Sequence, residues 1–336
     1  MKNKRKERKR LYQLRASKRK LRLRLKRQKH KPNSGYTRKI INIKRRLASN
    51  ITKKPIPPKN FSFIDNPEEV IKYIKKLKNF SNAGHSVHID LSNITNLTPD
   101  ALLLLLANFQ KDTKYTGAGP KDQNLQKIFL GSGFYEHVQN NADIKEFSGA
   151  ISHHESDYRV DSEIGKNITI GICQHTFPEI KVKNIYINPI LVECMGNTEN
   201  HAAGKRGKRC SWWLGFYKET TTGVSKVFFI DSGIGIMGSL NQRPKTIKRE
   251  YLSFFSFSDE AKLHDLVHGK IRIPTRTMSP QRGKGIKSFK EFSKIDYVKN
   301  FTIISNSVLG KISEDKFIHL CDSFEGTFIY FEIHPI

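Results

Sequence analysis

Between Asn60 and Val138 the chain switches repeatedly between runs of adjacent apolar residues and runs with helical spacing. Phe61 to Ile64 predicts a short strand. Asn66-Pro67-Glu68-Glu69 reads as a helix start, with proline in the first turn and acids where the helix dipole favours them. That helix continues with Val70, Ile71, Ile74 and Leu77 on one face. Ser86 to Leu91 predicts the next strand. Thr98-Pro99-Asp100 opens a second apolar helix to about Phe109, with Thr98 as its N-cap, and Lys121 to Leu130 predicts a third. Strands alternating with helices make residues 59–140 a small α/β unit.

Further along, an apolar segment begins near Ile185 and contains Glu193, Asn197 and His201. They are four residues apart, so a helix projects all three from one face. Val227-Phe228-Phe229-Ile230 predicts a buried strand that runs into Asp231-Ser232-Gly233-Ile234-Gly235. Gly283 and Gly285 lead into an amphipathic helix carrying Phe289 and Phe292, and Glu325-Gly326-Thr327 precedes a strand from Phe328 to Ile333. Residues 236–282 form a long stretch between two glycine-containing loops, the usual position of a lid. It holds Phe254, Phe255 and Phe257, with Pro274, Arg276 and Pro280, and a helical insertion is expected over Asp259 to Val267.

Charge adds a third segment. The chain has 336 residues and a formal net charge of +29. Residues 1–60 hold 25 Lys and Arg and one acid, Glu7, whereas the other 276 residues have 35 basic and 30 acidic side chains. The basicity therefore belongs to an arm, residues 1–58, ending in the stiff linker Pro55-Ile56-Pro57-Pro58. Its leucines Leu11, Leu14, Leu21 and Leu25 lie on a rough heptad stripe broken by Lys18, and like-charge repulsion opposes a stable isolated helix. Such an arm suits the phosphate backbone of RNA or DNA. An anionic membrane surface and a merely solvated tail are the alternatives. The most apolar stretch, Ala101 to Phe109, is too short to span a bilayer, and Cys173, Cys194, Cys210 and Cys321 form no C-x-x-C pair. A cytoplasmic protein with no transmembrane segment is the expectation.

The candidate chemistry lies in the carboxyl-terminal half. A carboxylate at Glu193 can activate a water, and a neighbouring amide oxygen at Asn197 can ligate Mg²⁺. Asp231 can accept from an exocyclic amine, while Gly233 and Gly235 let the backbone approach a planar base. Gly283, Lys284, Gly285 and Ile286 could wrap phosphates, with Lys284 or Lys287 adding charge. There is no G-x-x-x-x-G-K-[ST] loop. Each element has an ordinary structural explanation: a polar helix face, a β-turn, a flexible loop.

In combination, Glu193/Asn197, Asp231-x-Gly-x-Gly, Gly283-x-Gly285 and Gly326-Thr327 resemble the four boxes of the GHKL ATP-binding class, over about residues 163–336. The resemblance implies ATP and Mg²⁺ as cofactors, Glu193 as water-activating base and Asn197 as metal ligand. It further implies Asp231 as adenine reader, Gly283 to Gly285 as phosphate loop, and Asn197, His201, Gly233, Gly235, Lys284, Ile286 and Thr327 as nucleotide contacts. Thr198 departs from the small residue the class commonly has after the asparagine. Residues 59–140 resemble a STAS domain, with Thr98-Pro99 where that family carries a phosphorylatable serine, and 141–162 are then a connector. Two functions follow from these resemblances. One is a Mg-dependent ATPase or ATP-gated switch with a nucleic-acid-binding arm, in which ATP changes the state of the lid or of a homodimer. The other is a serine/threonine kinase of the anti-sigma-factor type, whose protein partner would meet the STAS-like unit. Ser152-His153-His154-Glu155 lies too close to Glu193 for a phospho-accepting hairpin, so His153 and His154 are read as surface or linker residues.

Overall fold

The computed structural model describes residues 51–109, 113–132, 134, 151–156, 159–180, 185–202, 210–243, 245–271 and 285–336. The basic arm to residue 50, the loop residues Gly283 and Lys284, the cluster Pro274, Arg276 and Pro280, and the side chains of His153, His154 and His201 lie outside them.

The first unit is α/β, built from β1 (Thr52–Lys53), β2 (Asn60–Phe61), α1 (Pro67–Asn82), β3 (Ser86–Asp90), β4 (Asn96–Leu97), α2 (Pro99–Ala107), β5 (Tyr115–Ala118) and α3 (Gln123–Gly131). Strands β1, β3 and β5 form a parallel sheet with β3 central, and β2 and β4 form a separate parallel pair. α1 starts with proline, carries Glu68 and Glu69 in its first turn and buries Val70, Ile71, Ile74 and Leu77, as its spacing predicts. α2 is buried on every side, Leu102 through Leu106 included, so it must be covered all round.

Two expectations change here. Thr52 and Lys53 pair with Ser86 and Val87, and Pro55 is buried, so the tail of the expected arm and linker belongs to this unit. A two-residue polar strand gives no alternation by which to find it. Thr98 has the extended backbone of an N-cap, but its side chain makes no capping bond; the hydroxyl points to the Phe61 carbonyl at 3.4 Å.

The second unit contains β6 (Ile151–Ser156), α4 (Ser162–Thr176), α5 (Asn188–Asn197), a π-helical turn (Thr198–Ala202), β7 (Trp212–Lys218), β8 (Ser225–Asp231), α6 (Gly235–Asn241), α7 (Lys245–Glu250), α8 (Leu252–Ser256), α9 (Asp259–Val267), α10 (Gly285–Phe292), β9 (Val298–Lys311) and β10 (Lys316–Ile333). Its five strands form an antiparallel sheet in the order β6-β7-β8-β10-β9. The sheet thus starts at Ile151, inside the stretch expected to be a connector; β6 is a polar edge strand, so no apolar period marks it.

Alternation along the central strands gives this sheet two buried faces. Trp212, Leu214, Val227, Phe229, Ile329 and Phe331 pack with the helices of the second unit. Trp213, Phe228, Ile230, Phe328 and Tyr330 join the core of the first unit, where Phe63 meets Phe328 with ring centroids 4.8 Å apart. α2 lies against β7 and β8, and α1 against β10. The sheet is therefore the middle layer of the molecule, with helices of the two units on opposite faces. No helix among the described residues is long and apolar enough to cross a membrane, and no disulfide joins the four cysteines.

The described part of the region between the glycine loops, which ends at Ile271, is largely helical and anchored. Helix α9 spans the predicted Asp259–Val267, and Phe254, Leu263 and Val267 are buried in the core while Phe257 is exposed. Residues up to Ile271 are thus built onto the domain.

Candidate functional site

β8 ends at Asp231, whose partners across the sheet are Trp212 on β7 and Thr327 on β10. The carboxylate is buried, and burial pushes its pKa up to about 6; the Gly233 N-H, donated at 2.8 Å, and bonds from Thr327 pull the other way. The approach of Thr327 depends on the preceding glycine. Gly326 has φ +124, and a Cβ there would overlap the Asp231 carbonyl, so this step of β10 requires glycine. Register shifts between Phe324 and Thr327 mark a bulge that re-aims the strand at this point.

The loop after Asp231 is held from two sides. Ile234 N-H donates to the Ala202 carbonyl at 3.1 Å, tying the loop to the π-helical turn, and Gly233 packs so tightly on Ala202 that no side chain fits. On the other side Asn306 of β9, at φ 55, accepts from the N-H groups of Met237 (3.0 Å) and Gly238 (3.4 Å) and donates to the Ile234 carbonyl at 3.0 Å. Ser305 accepts from Ile236 N-H at 2.9 Å and donates to the Gly326 carbonyl at 3.0 Å. Ser305 and Asn306 thus cap α6 and couple the loop to the Gly326-Thr327 step.

α5 carries Glu193 and Asn197 one turn apart. Ile190, Leu191, Cys194 and Met195 fill its core side, whereas Val192 is only partly buried. Glu193 is half-buried and faces the start of α10, not solvent: a Cβ on Gly285 would overlap its carboxylate. Burial raises the Glu193 pKa, and a hydrogen bond from Asn197 opposes this. Thr198 is buried and returns its hydroxyl to the Cys194 carbonyl at 3.3 Å, so it packs without displacing Asn197. From Thr198 to Ala202 the helix widens to π geometry, a form common at functional sites.

Between these elements lies a cavity of about 560 Å³, lined by Asn197, Asp231, Gly235, Gly285, Ile286 and Thr327 together with Cys194, Ala202, Phe229, Ile236, Leu240, Lys287, Ser288 and Ile329. Gly233 and Glu193 are not among its lining residues: Gly233 contacts Asp231, and Glu193 contacts Gly285 and Asn197. Six residues singled out from the sequence therefore converge on one space from four segments of chain. Arg243, just beyond α6, also lines it; its Nε is buried and has no hydrogen-bond partner among the described residues, and burial lowers its pKa. Arg243, Ser305 and Asn306 were not visible as site residues in the sequence. The only available signal was the polar run Ser305-Asn306-Ser307 between the apolar pairs Ile303-Ile304 and Val308-Leu309.

No protein-family model matches the chain, and no curated protein matches it.

Proposed function

We propose that the second unit is a GHKL-type ATP-binding domain that holds Mg-ATP in this cavity and acts as a Mg-dependent ATPase or ATP-gated switch. The observation that carries the proposal is the meeting of Asn197, Asp231, Gly235, Gly285 and Thr327 around one cavity, although Asn197 and Thr327 are 130 residues apart in sequence. Its volume, about 560 Å³, falls within the roughly 300–1,000 Å³ usual for small-molecule sites.

The donor set fits the nucleotide. Asp231 is a buried acceptor with no cationic partner among the described residues, which suits an amine such as the exocyclic N-H of adenine. Gly235 has φ +73 and sits against Asn306 with no room for a Cβ, so the loop can follow a flat base closely. Arg243 brings an unpaired buried donor, and Lys287 a second positive charge, as an anion requires. Asn197 donates its amide N-H to Glu193, leaving the amide oxygen for a cation. One protein oxygen would be adequate for Mg²⁺, an ion commonly bound through few protein ligands.

Within that fit the chain's own residues divide the work. Asp231 and Thr327 hold the base end. Glu193, made more basic by burial, accepts a proton from the attacking water, and Gly285 leaves the space in which its carboxylate sits. Arg243 and Lys287 neutralise phosphate charge. Asn197 would hold Mg²⁺ through its amide oxygen, and the ion would supply charge neutralisation for phosphoryl transfer.

The first unit is proposed to be STAS-like, and residues 1–58 to bind RNA or DNA. Thr98 belongs to the unit packed on the face of the sheet opposite the one carrying Phe229 and Ile329, which line the cavity. That arrangement argues against transfer of phosphate to Thr98 within one chain. The deciding experiment uses the full-length protein with Mg²⁺ and γ-labelled ATP. Saturable Mg-dependent binding with release of free phosphate supports an ATPase switch, and label retained on a protein supports a kinase. Absence of ATP binding by calorimetry would overturn the assignment of the cavity.

A further inference from the structure

Away from the cavity, α9 and the β9–β10 turn bring two imidazoles and a carboxylate together. His264 on α9 and His268 at its C-cap are one helical turn apart, with ring centroids separated by 4.2 Å. Asp315 meets them from the turn, where its backbone is left-handed at φ 55. One ligand atom from each of the three lies within 4.8 Å of the others.

The hydrogen bonds around the rings decide which nitrogens are available. His268 Nδ1 is 2.9 Å from the His264 carbonyl, which can only accept, so Nδ1 carries the proton and Nε2 presents a lone pair. That Nε2 lies 3.0 Å from Asp315 Oδ1. His264 Nδ1 is 3.0 Å from Asp265 Oδ1, and Lys270 pairs with the same oxygen at 3.6 Å, so His264 likewise offers Nε2. Imidazoles fixed through Nδ1 by a carbonyl or a carboxylate are the usual second shell of metal-binding histidines. A lone pair facing a carboxylate needs a positive charge between them, either a proton on His268 or a metal ion. The Lys290 ammonium approaches Asp315 at 3.5 Å from α10 but also bonds the Ile312 carbonyl at 3.2 Å, and Phe317 packs edge-on against His264.

We propose that His264, His268 and Asp315 form a binding site for a divalent transition metal of the zinc type, tying α9 to the β9–β10 hairpin. Two imidazole nitrogens and one carboxylate oxygen suit Zn²⁺ and disfavour Mg²⁺ or Ca²⁺, which take oxygen ligands. Ligands bonded at about 2.0–2.1 Å to one zinc stand about 3 Å apart, the spacing already present between His268 and Asp315. The ion would also stiffen the cavity wall, because α9 leads directly to Gly269 and Ile271, which line the cavity.

The test uses untagged full-length protein, stripped with a chelator and titrated with Zn²⁺, or with Co²⁺ to read the absorption of low-symmetry coordination. One ion per chain and a raised melting temperature are expected with Zn²⁺, and neither with Mg²⁺ at the same concentration. Asp265→Asn, which loosens the His264 ring, should weaken Zn²⁺ by about 10- to 100-fold. His268→Gln and Asp315→Asn should each weaken it by more than about 100-fold, beyond that range. Asparagine tolerates the left-handed turn, so Asp315→Asn remains informative if His268→Gln fails to fold. Zn²⁺ binding that both variants leave unchanged, or no stoichiometric binding, would overturn the site and leave a proton on His268 as the bridge. No nucleotide enters the assay, so its outcome is independent of the ATP proposal.

Discussion

The carboxylate of Glu193 occupies the space where Gly285 would carry a Cβ. The two residues are 92 positions apart, on the helices that face each other across one end of the cavity, and this contact aims the proposed base.

Gly285→Ala is therefore expected to separate hydrolysis from folding. The overlapping atoms are the end of a flexible side chain, which can move aside, and alanine favours helix over glycine by about 0.5–1 kcal/mol. Melting temperature should change little, while phosphate release falls by about 10²-fold or more, as it should in Glu193→Ala with ATP affinity retained. Parental turnover in both variants, measured by phosphate release, would remove Glu193 from the chemistry.

Asp231 is expected to cost the protein stability in exchange for a ligand contact. Its pKa is raised from 3.8 to about 6, so the folded state holds this proton more tightly than the unfolded chain. The associated stability is full below about pH 4 and is lost as pH rises through 6, on the order of 3 kcal/mol in all. Asp100, buried and also raised to about 6, acts in the same direction. Asp231→Asn should thus match the parent in urea at pH 4 and exceed it at pH 8. Asp231→Ala should weaken ATP by roughly 1–3 kcal/mol and reduce discrimination against GTP, as read by calorimetry.

Arg243 should behave similarly on the anionic side of the ligand. Replacing it with methionine removes a buried donor that lacks a partner, so the ligand-free protein should melt no lower than the parent. ATP affinity should fall by about tenfold or more, because a charge-assisted bond of roughly 1.5–3 kcal/mol is lost, whereas adenosine should bind as before. Equal losses for ATP and adenosine would place Arg243 at the base instead.

What the sequence revealed of this arrangement was its local part. The continuous apolar run from Val227 to Ile230, the helix-forming stretch from Asp259 to Val267 and the amphipathic Phe289/Phe292 helix are local signals, and the elements form where they predict. Polar edge strands such as Ile151–Ser156 and Thr52–Lys53 carry no period, and only pairing with distant residues makes them strands. The sequence predicts a strand only from Phe328, because Glu325-Gly326-Thr327 looks like a break, whereas a bulge carries the 18-residue β10 through it. Arg243, Ser305 and Asn306 act through contacts with residues distant in sequence or through an unpaired nitrogen, neither of which is written locally. The two-sided burial of the central sheet was equally hidden: Trp212 and Trp213 are adjacent in sequence but belong to different cores.

The structure also sharpens the test of the arm. Residues 1–50 carry 22 Lys and Arg against the single acid Glu7, so they hold nearly all of the proposed phosphate-binding charge. Residues 52 and 53 are instead a strand of the first unit, and Pro55 is buried. Deleting 1–50 should abolish RNA and DNA binding and leave the melting temperature and ATP affinity unchanged, since every described residue of the cavity lies at or beyond Cys194. Deleting 1–58 should also lower the melting temperature, because β3 then loses its β1 neighbour. In the full-length protein, engaging about 6 to 10 phosphates of duplex DNA implies a slope of log K against log salt near −0.9 per phosphate. Sequence preference should be slight, because lysines and arginines that contact phosphates carry no information about base edges. Loss of nucleic-acid binding only in the longer deletion would shift the contact from the arm to the folded unit. Binding to anionic vesicles, with none to RNA or DNA at low salt, would assign the arm to a membrane surface.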